Sequence, residues 1–419
     1  MSMEALRVLE QLEPALLVQH ADALVVWLGD IRKNVRALAL KTLLKLEPAT
    51  LMLHACDVLA FLWDEASEEV RTIRDQVWDL FEPAFVAQHV DIVLARLEDS
   101  RADVRSAALR ILGHLEPAML AQHADSVLTR LEDSETEVRS EALDTLGQLE
   151  PAMLAQHAGA VVARLEDSGD NARYQALATL DQLEPATLAQ HANSMVAMLE
   201  DERVVVRMLA LETLEKLEPA TLAQHADAVV ARLEDSNYVV RKEALVTLGK
   251  LEPATLAQYA NALVVRLEDS DWEVRMHALQ TLGELKPAAL APHAAVVVLR
   301  LEDAEPVVCS EALETLDKLE PAALAQHAGA VVGKLNDPFP PVRGAALNIL
   351  RRLPLVITRH IDFESHNLRE RLLGRIAWYR CLLRLRVRRI TLYWYALPYR
   401  PSGPGHARDV VAWGRMHEE

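Results

Sequence analysis

Residues 219–252 read PATLAQHADAVVARLEDSNYVVRKEALVTLGKLE, and most of the chain is this phrase repeated with variations. Its apolar residues Leu222, Ala226, Val229, Val230 and Leu233 are spaced 4, 3, 1 and 3, which places them on one face of a helix. Glu234, Asp235, Ser236 and Asn237 then interrupt the pattern. A second run at helical spacing follows at Val240, Ala244, Leu245, Leu248 and Leu251. The phrase therefore encodes a helix, a short turn, a second helix and a return turn. Pro219 suits the first turn of the leading helix, where a missing N–H costs nothing.

Working outward, the same proline recurs at Pro14, Pro48, Pro83, Pro117, Pro151, Pro185, Pro219, Pro253, Pro287 and Pro321. Every interval is 34 residues except Pro48 to Pro83, which is 35, the extra residue falling in the turn around Asp64–Glu68. LEPATLAQHA stands unchanged at 183–192 and at 217–226. One such unit cannot bury its apolar faces alone, so neighbours must stack. The expected fold is all-α: a right-handed α-solenoid of about ten helix-turn-helix units over residues 14–353. A half-repeat precedes it at 1–13, where Ala5, Leu6, Leu9 and Leu12 match a second helix. The ninth position of the unit is Asp, Asn or Gly in eight of the ten units, as at Asp125, Asp227 and Asn261. These types favour N-caps, so the leading helix is expected to kink or restart there.

Composition agrees. Aromatics make up only 5% against 51% hydrophobic residues, so the core is built from Leu, Val and Ala, and 14 glycines are too few for a chain of tight hairpins. Charge is unevenly placed. Residues 1–350 carry 30 Lys+Arg against 56 Asp+Glu, a net of −26, whereas residues 351–419 carry 14 Arg, no Lys and 6 Asp+Glu, a net of +8. The total of −18 argues against a simple electrostatic nucleic-acid binder. Cys56, Cys309 and Cys381 show no paired spacing, so neither a disulfide framework nor a zinc site is expected, and a reducing, cytoplasmic setting is. The sequence shows neither a signal-peptide pattern nor a long uncharged apolar run.

Within each unit an Asp in the turn is followed six residues later by an Arg inside a V-R pair, then by a small residue and leucines. Asp99/Arg105, Asp133/Arg139, Asp201/Arg207, Asp235/Arg241 and Asp269/Arg275 all fit. A 34-residue period also suits tetratricopeptide repeats, but the bulky aromatics those need are missing. The D…VR…A pattern resembles instead the HEAT-repeat family, and the resemblance runs over about residues 4–353. It implies that the acid and the arginine form a structural ladder from turn to turn. In two places the pattern departs: Cys309 replaces the arginine, where the ladder should weaken, and Ala172 replaces the valine before Arg173.

Signals for chemistry are weak. His20, His54, His89, His123, His157, His191, His225, His293 and His327 form a column, with Tyr259 at the same place in the eighth unit. Stacked helices lie about 9 Å apart and zinc–imidazole bonds are about 2 Å, so neighbours in this column cannot share a metal. They read as packed residues at a helix kink. The His-Glu dipeptides of a HEAT-like di-iron hydroxylase are replaced by Ser140-Glu141, Lys242-Glu243 and Ser310-Glu311. Phycobilin-lyase-like HEAT proteins share the D…VR…A pattern, so a cofactor-handling protein is an alternative reading. No glycine-rich phosphate loop or nucleophile motif occurs. Neither catalysis nor a cofactor is expected.

Variation is more informative. The turn residues read RAD at 101–103, ETE at 135–137, NYV at 237–239, DWE at 271–273, EPV at 305–307 and FPP at 339–341, and exposed second-helix sites such as Met208, Lys242 and Met276 vary too. A fixed frame with variable exposed positions suits a protein-binding scaffold, with Tyr238 and Trp272 as candidate anchors and basic or mixed protein segments as partners. After Leu353 the frame degrades. Residues 354–397 read as a fading repeat and an amphipathic helix with its stripe from Leu368 to Leu397 and arginines over much of the remainder. This helix is expected to cap the solenoid, or to bind a membrane surface or partner through 368–397 in a membrane-peripheral adaptor. PYRPSGPG at 398–405 opens an expected tail, 398–419.

Overall fold

The computed structural model describes residues 3–30, 32–58 and 83–353, and every regular element among them is helical. The chain forms an all-α solenoid of repeats and divides into two compact units, Met1–Ala262 and Leu263–Glu419. The expected fading repeat and Arg-rich helix of 354–397, the tail 398–419 and the Asp64–Glu68 turn lie outside the described residues.

The second helix of each repeat is its regular member. Among the described residues of the first unit these are α1 (Met3–Glu10), α2 (Lys33–Leu43), α3 (Ala102–Leu112), α4 (Thr136–Leu146), α5 (Asp170–Leu180), α6 (Val204–Glu215) and α7 (Tyr238–Leu248). The second unit has α8 (Trp272–Gly283), α9 (Pro306–Asp317) and α10 (Pro340–Arg352). Helix α4, TEVRSEALDTL, shows why they form. Ala, Leu, Glu and Arg favour the helix, and Val138, Ala142, Leu143 and Leu146 fall on one face and are all buried. Consecutive helices pack together within each unit: α1 on α2, α3 through α7 in sequence, and α8 on α9 on α10.

The leading half of the repeat is a chain of short pieces. In the repeat from Pro117 these are Pro117–Leu120, a 3-10 turn Ala121–His123, a helix Ala124–Thr129 and a second 3-10 turn Arg130–Glu132. The helix does restart, but two residues earlier than its sequence suggests. The break is at the histidine of the column: His123 has φ −115° and ψ 8°, and His157 and His225 are alike. An N-cap would need an extended backbone and a side-chain bond, and the break has neither. The acidic residue two places on, such as Asp125 or Asp227, sits in the first turn of the new helix, where it favours the helix dipole without capping.

A threonine near the end of several second helices joins neighbours. Thr145 Oγ1 donates to the carbonyl of Leu109 at 3.1 Å, Thr179 to that of Leu143 at 3.0 Å, and Thr247 to that of Leu211 at 3.3 Å. In the second unit Thr315 does the same to Leu279 at 3.0 Å. Each hydroxyl is satisfied between stacked repeats, which keeps a polar group in the core without cost.

Candidate functional site

The turns between helices carry a repeating polar lattice within each unit. Arg139, in the first turn of α4, donates from Nη1 to the carbonyls of Asp133 and Ser134 in its own turn, at 2.8 and 3.1 Å. With Nε and Nη2 it grips the carboxylate of Asp167, one repeat on, at 2.7 and 2.6 Å. Arg105 holds Asp133, Arg207 holds Asp235, and in the second unit Arg275 holds Asp303, each through two bonds. Arg173, which follows Ala172, still reaches Asp201, with one bond of 2.6 Å and one of 3.4 Å. The planar fork of arginine suits this two-point grip. Arg241 keeps the own-turn bond, to the carbonyl of Asp235 at 2.9 Å. Asp99 and Asp269 each turn a carboxylate oxygen to the N–H two residues on. The same Asx turn occurs at Asp133, Asp167 and Asp235. Each gripping arginine thus spans its own turn and the next: the bond to its own Asp is through that residue's carbonyl, and the carboxylate gripped belongs to the next repeat.

A second arginine column runs the other way, and the sequence reading passed over it. Arg130 Nη1 donates back to the carbonyl of Leu97 at 2.9 Å, while Nη2 meets Glu98 at 2.9 Å. Arg164 and Arg232 repeat the carbonyl bond, to Leu131 and Leu199, as Arg300 does to Leu267 in the second unit. The signal was the recurring RLED, as at 130–133 and 232–235. Its arginine satisfies a carbonyl at the end of the preceding leading helix.

Cys309 interrupts the lattice. Its thiol is buried, 3.1 Å from the carbonyl of Leu301 and 3.3 Å from that of Asp303, and burial raises its pKa. Asp337, one repeat on, has Lys334 at 3.9 Å in place of a guanidinium. We predict that Cys309→Arg, by restoring the two-point grip, stabilises the second unit by about 1 kcal/mol. A raised melting temperature would bear this out, and a lowered one would show that the buried thiol fills space the arginine cannot. Cys56 is also buried, its thiol pushed up to about 12.

The carboxylates fall into two classes with opposite pH behaviour. Burial works against ionisation at Asp133, Asp167, Asp235 and Asp303, but the gripping arginine and the turn N–H outweigh it and hold each below the ordinary 3.8. Their stabilisation is present above that value and is lost as pH falls through the lower folded one. Burial raises Glu141, Glu212, Glu243 and Glu311 above the ordinary 4.5, and carboxylate neighbours add to this. Glu141 reaches about 7 although Arg110 lies 2.8 Å away; burial prevails there. Because the folded form of these groups holds the extra proton, stability declines as pH rises from about 4.5 toward 7. Thermal unfolding should therefore show a maximum in mildly acidic solution. A steady rise to pH 7 would contradict the assignment.

On the outer face of the second helices the residues differ from repeat to repeat. Tyr238 opens α7 with 41% of its surface exposed, and Lys242 follows one turn on; Met208, half-buried, lies on the adjoining α6. In the second unit Trp272 opens α8, 38% exposed, with Met276 one turn on. The structure thus groups Met208, Tyr238 and Lys242 on one unit, and Trp272 with Met276 on the other. It adds Tyr174 on α5 and Val205 on α6, 40% and 39% exposed, which the sequence reading had not singled out. Both lie where the second helices vary, and that position was the available signal. Beside Tyr174, a cleft of about 480 Å³ between α4 and α5 is lined by Thr136, Glu137, Ser140, Glu141, Asp144, Asn171 and Gln175.

A family model described as HEAT repeats matches residues 226–317. These are HEAT repeats. Their boundaries, turn aspartates and V-R arginines recur through the flanking repeats as well. No curated protein matches the chain. Among solved structures it is similar to a crystal structure of an engineered protein from a structural genomics consortium, at 17% identity and a TM-score of 0.49, over 79% of this chain and 98% of that one. Among the described residues no helix is long and apolar enough to cross a membrane, and no three or more His, Cys, Asp or Glu side chains are grouped so as to hold a metal ion. His54 Nδ1 lies 3.9 Å from Asp22 Oδ1, and His89 meets Phe85 edge to face.

Proposed function

We propose that this HEAT-repeat chain is a non-catalytic scaffold or adaptor that binds other proteins through the variable outer face of its second helices. The observation that carries the reading is the contrast between two sets of side chains. The buried leucines and the gripping arginines recur from repeat to repeat, and tertiary contacts account for them. Tyr238, Trp272, Met208, Lys242 and Met276 stand at positions whose residue type varies among the repeats, and they remain partly exposed. Large apolar groups kept partly in water do not serve the core, and aromatics anchor interfaces well.

Affinity capture from cell extract tests this, with wild type and the Tyr238→Ala/Trp272→Ala variant as parallel baits at two salt concentrations. Specific proteins retained by wild type and lost by the variant, with unchanged melting temperature, are the expected result. An identical set on both baits would remove these positions from the interface. The reading of the chain as a membrane-peripheral adaptor depends on 368–397, outside the described residues. The cofactor-handling reading has no observation that favours it.

A further inference from the structure

The second-helix face of the first unit is not uniform, and its chemistry selects a partner. Across α5, α6 and α7 the exposed side chains Tyr174, Val205 and Tyr238, with the half-buried Met208 among them, form an apolar band on successive packed helices. Acidic residues adjoin the band in two places, on α4 and further along α6 and α7. On α4, Glu137, Glu141 and Asp144 line the cleft beside Tyr174. Arg110 is the cation that meets them, 2.8 Å from Glu141 and 3.8 Å from Glu137, while Asp144 accepts a bond from the neutral Gln175 at 2.9 Å. The cleft, about 480 Å³, has room for a long side chain.

Further along the same helices stand Glu212, one turn after Met208 on α6, and Glu243 on α7. Their contact position is a rung that recurs between second helices: Arg110 with Glu141, Asp144 with Gln175 and, in the second unit, Gln280 with Glu311. Those rungs join opposite charges or a charge and an amide. The rung of α6 and α7 instead places two carboxylates together, and Glu243 is raised by burial and then by Glu212 and Glu215. The neighbouring cations are in part engaged: Lys216 pairs with Asp181 at 2.7 Å, Lys250 with Glu215 at 2.9 Å and Arg203 with Asp170 at 2.9 Å. Lys242, beside Glu243, offsets it in part.

We propose that this face binds an amphipathic protein segment bearing lysine or arginine. Its apolar side lies on Tyr174, Val205, Met208 and Tyr238; one cation enters the cleft of Glu137, Glu141 and Asp144, and a second meets Glu212 and Glu243. This rests on the scaffold reading and names the chemistry of the partner. Charge complementarity selects a basic segment over an acidic one, and the apolar band selects an amphipathic helix over a purely basic run.

The test uses the full chain and three labelled synthetic 18-residue peptides of about equal length: a helix with leucines on one face and arginines on the other, the same helix with glutamate for arginine, and a scramble of the first. The basic amphipathic peptide should bind at least tenfold more tightly than either control. Glu137→Gln/Asp144→Asn, which spares the Arg110–Glu141 pair, should weaken it about tenfold. Tyr174→Ala/Tyr238→Ala should do the same, both variants keeping the wild-type melting temperature. Equal binding of the scramble would reduce the effect to diffuse charge attraction and overturn the proposal, as would binding that neither variant alters. If the basic helix fails to bind, while Tyr174→Ala/Tyr238→Ala still loses proteins captured from extract, the scaffold reading stands and the partner chemistry falls. If that variant loses nothing either, both fall on this face.

Discussion

Arg139→Met should destabilise the first unit by about 3 kcal/mol, several times the cost of losing a surface ion pair. The reason is what it leaves behind. Asp167 keeps only 3% of its side chain exposed, and Arg139 9%. Without the guanidinium, that carboxylate retains the Gly169 N–H but loses both charged bonds, and the carbonyls of Asp133 and Ser134 lose their donor. Breaking a buried pair from one side typically costs about 3–5 kcal/mol, whereas an exposed pair contributes about 0–1. The lattice lies near the surface at the turns, so the lower end of the larger range applies. Arg139→Met/Asp167→Asn should recover more than half of the loss, since a neutral amide can still close the turn without a buried charge. Urea unfolding measures both. A loss below 1 kcal/mol for the single change would mean that solvent screens these turns and that the lattice contributes little.

Leu143→Ala in α4 should cost about 3 kcal/mol, within the usual range of about 2–5 for a fully buried leucine. Leu143 has no exposed surface, and its carbonyl also receives the Thr179 hydroxyl from the next repeat. The cavity would therefore open where two second helices meet. Val205→Ala makes the contrast: 39% exposed on α6, it should change stability by less than about 0.5 kcal/mol while weakening partner binding. Hydrogen exchange can locate the first loss, because a repeat array distributes stability among neighbours rather than across the whole chain. Exchange accelerated only at α4 and the helices beside it is expected. Uniform acceleration through the first unit would show that it unfolds as a single cooperative body.

The lattice also bears on what a scaffold needs. Each gripping arginine joins two consecutive turns, so the face of the second helices is presented by a frame held at every repeat where the grip forms. That frame leaves the outer positions free to change. The Cys309 interruption shows the converse: where the arginine is missing, Lys334 approaches Asp337 only to 3.9 Å.

Much of this was decided by the sequence. The 34-residue period, the helical spacing of leucines and the D…VR pattern determine an all-α stack of repeats, because periodicity records which side of a helix must leave water. The buried face of α4 could be read directly from Val138, Ala142, Leu143 and Leu146. Tertiary structure decided what depends on a partner one repeat away. The sequence places Arg139 six residues after Asp133, yet the carboxylate it grips is that of Asp167, since stacking sets neighbouring turns side by side. The break at His123 instead of Asp125 depends on backbone angles that capping preferences do not encode. So too with Glu212 and Glu243: their separation along the chain says nothing until α6 and α7 are packed, and only then do two ordinary surface glutamates become an acidic rung beside an apolar band.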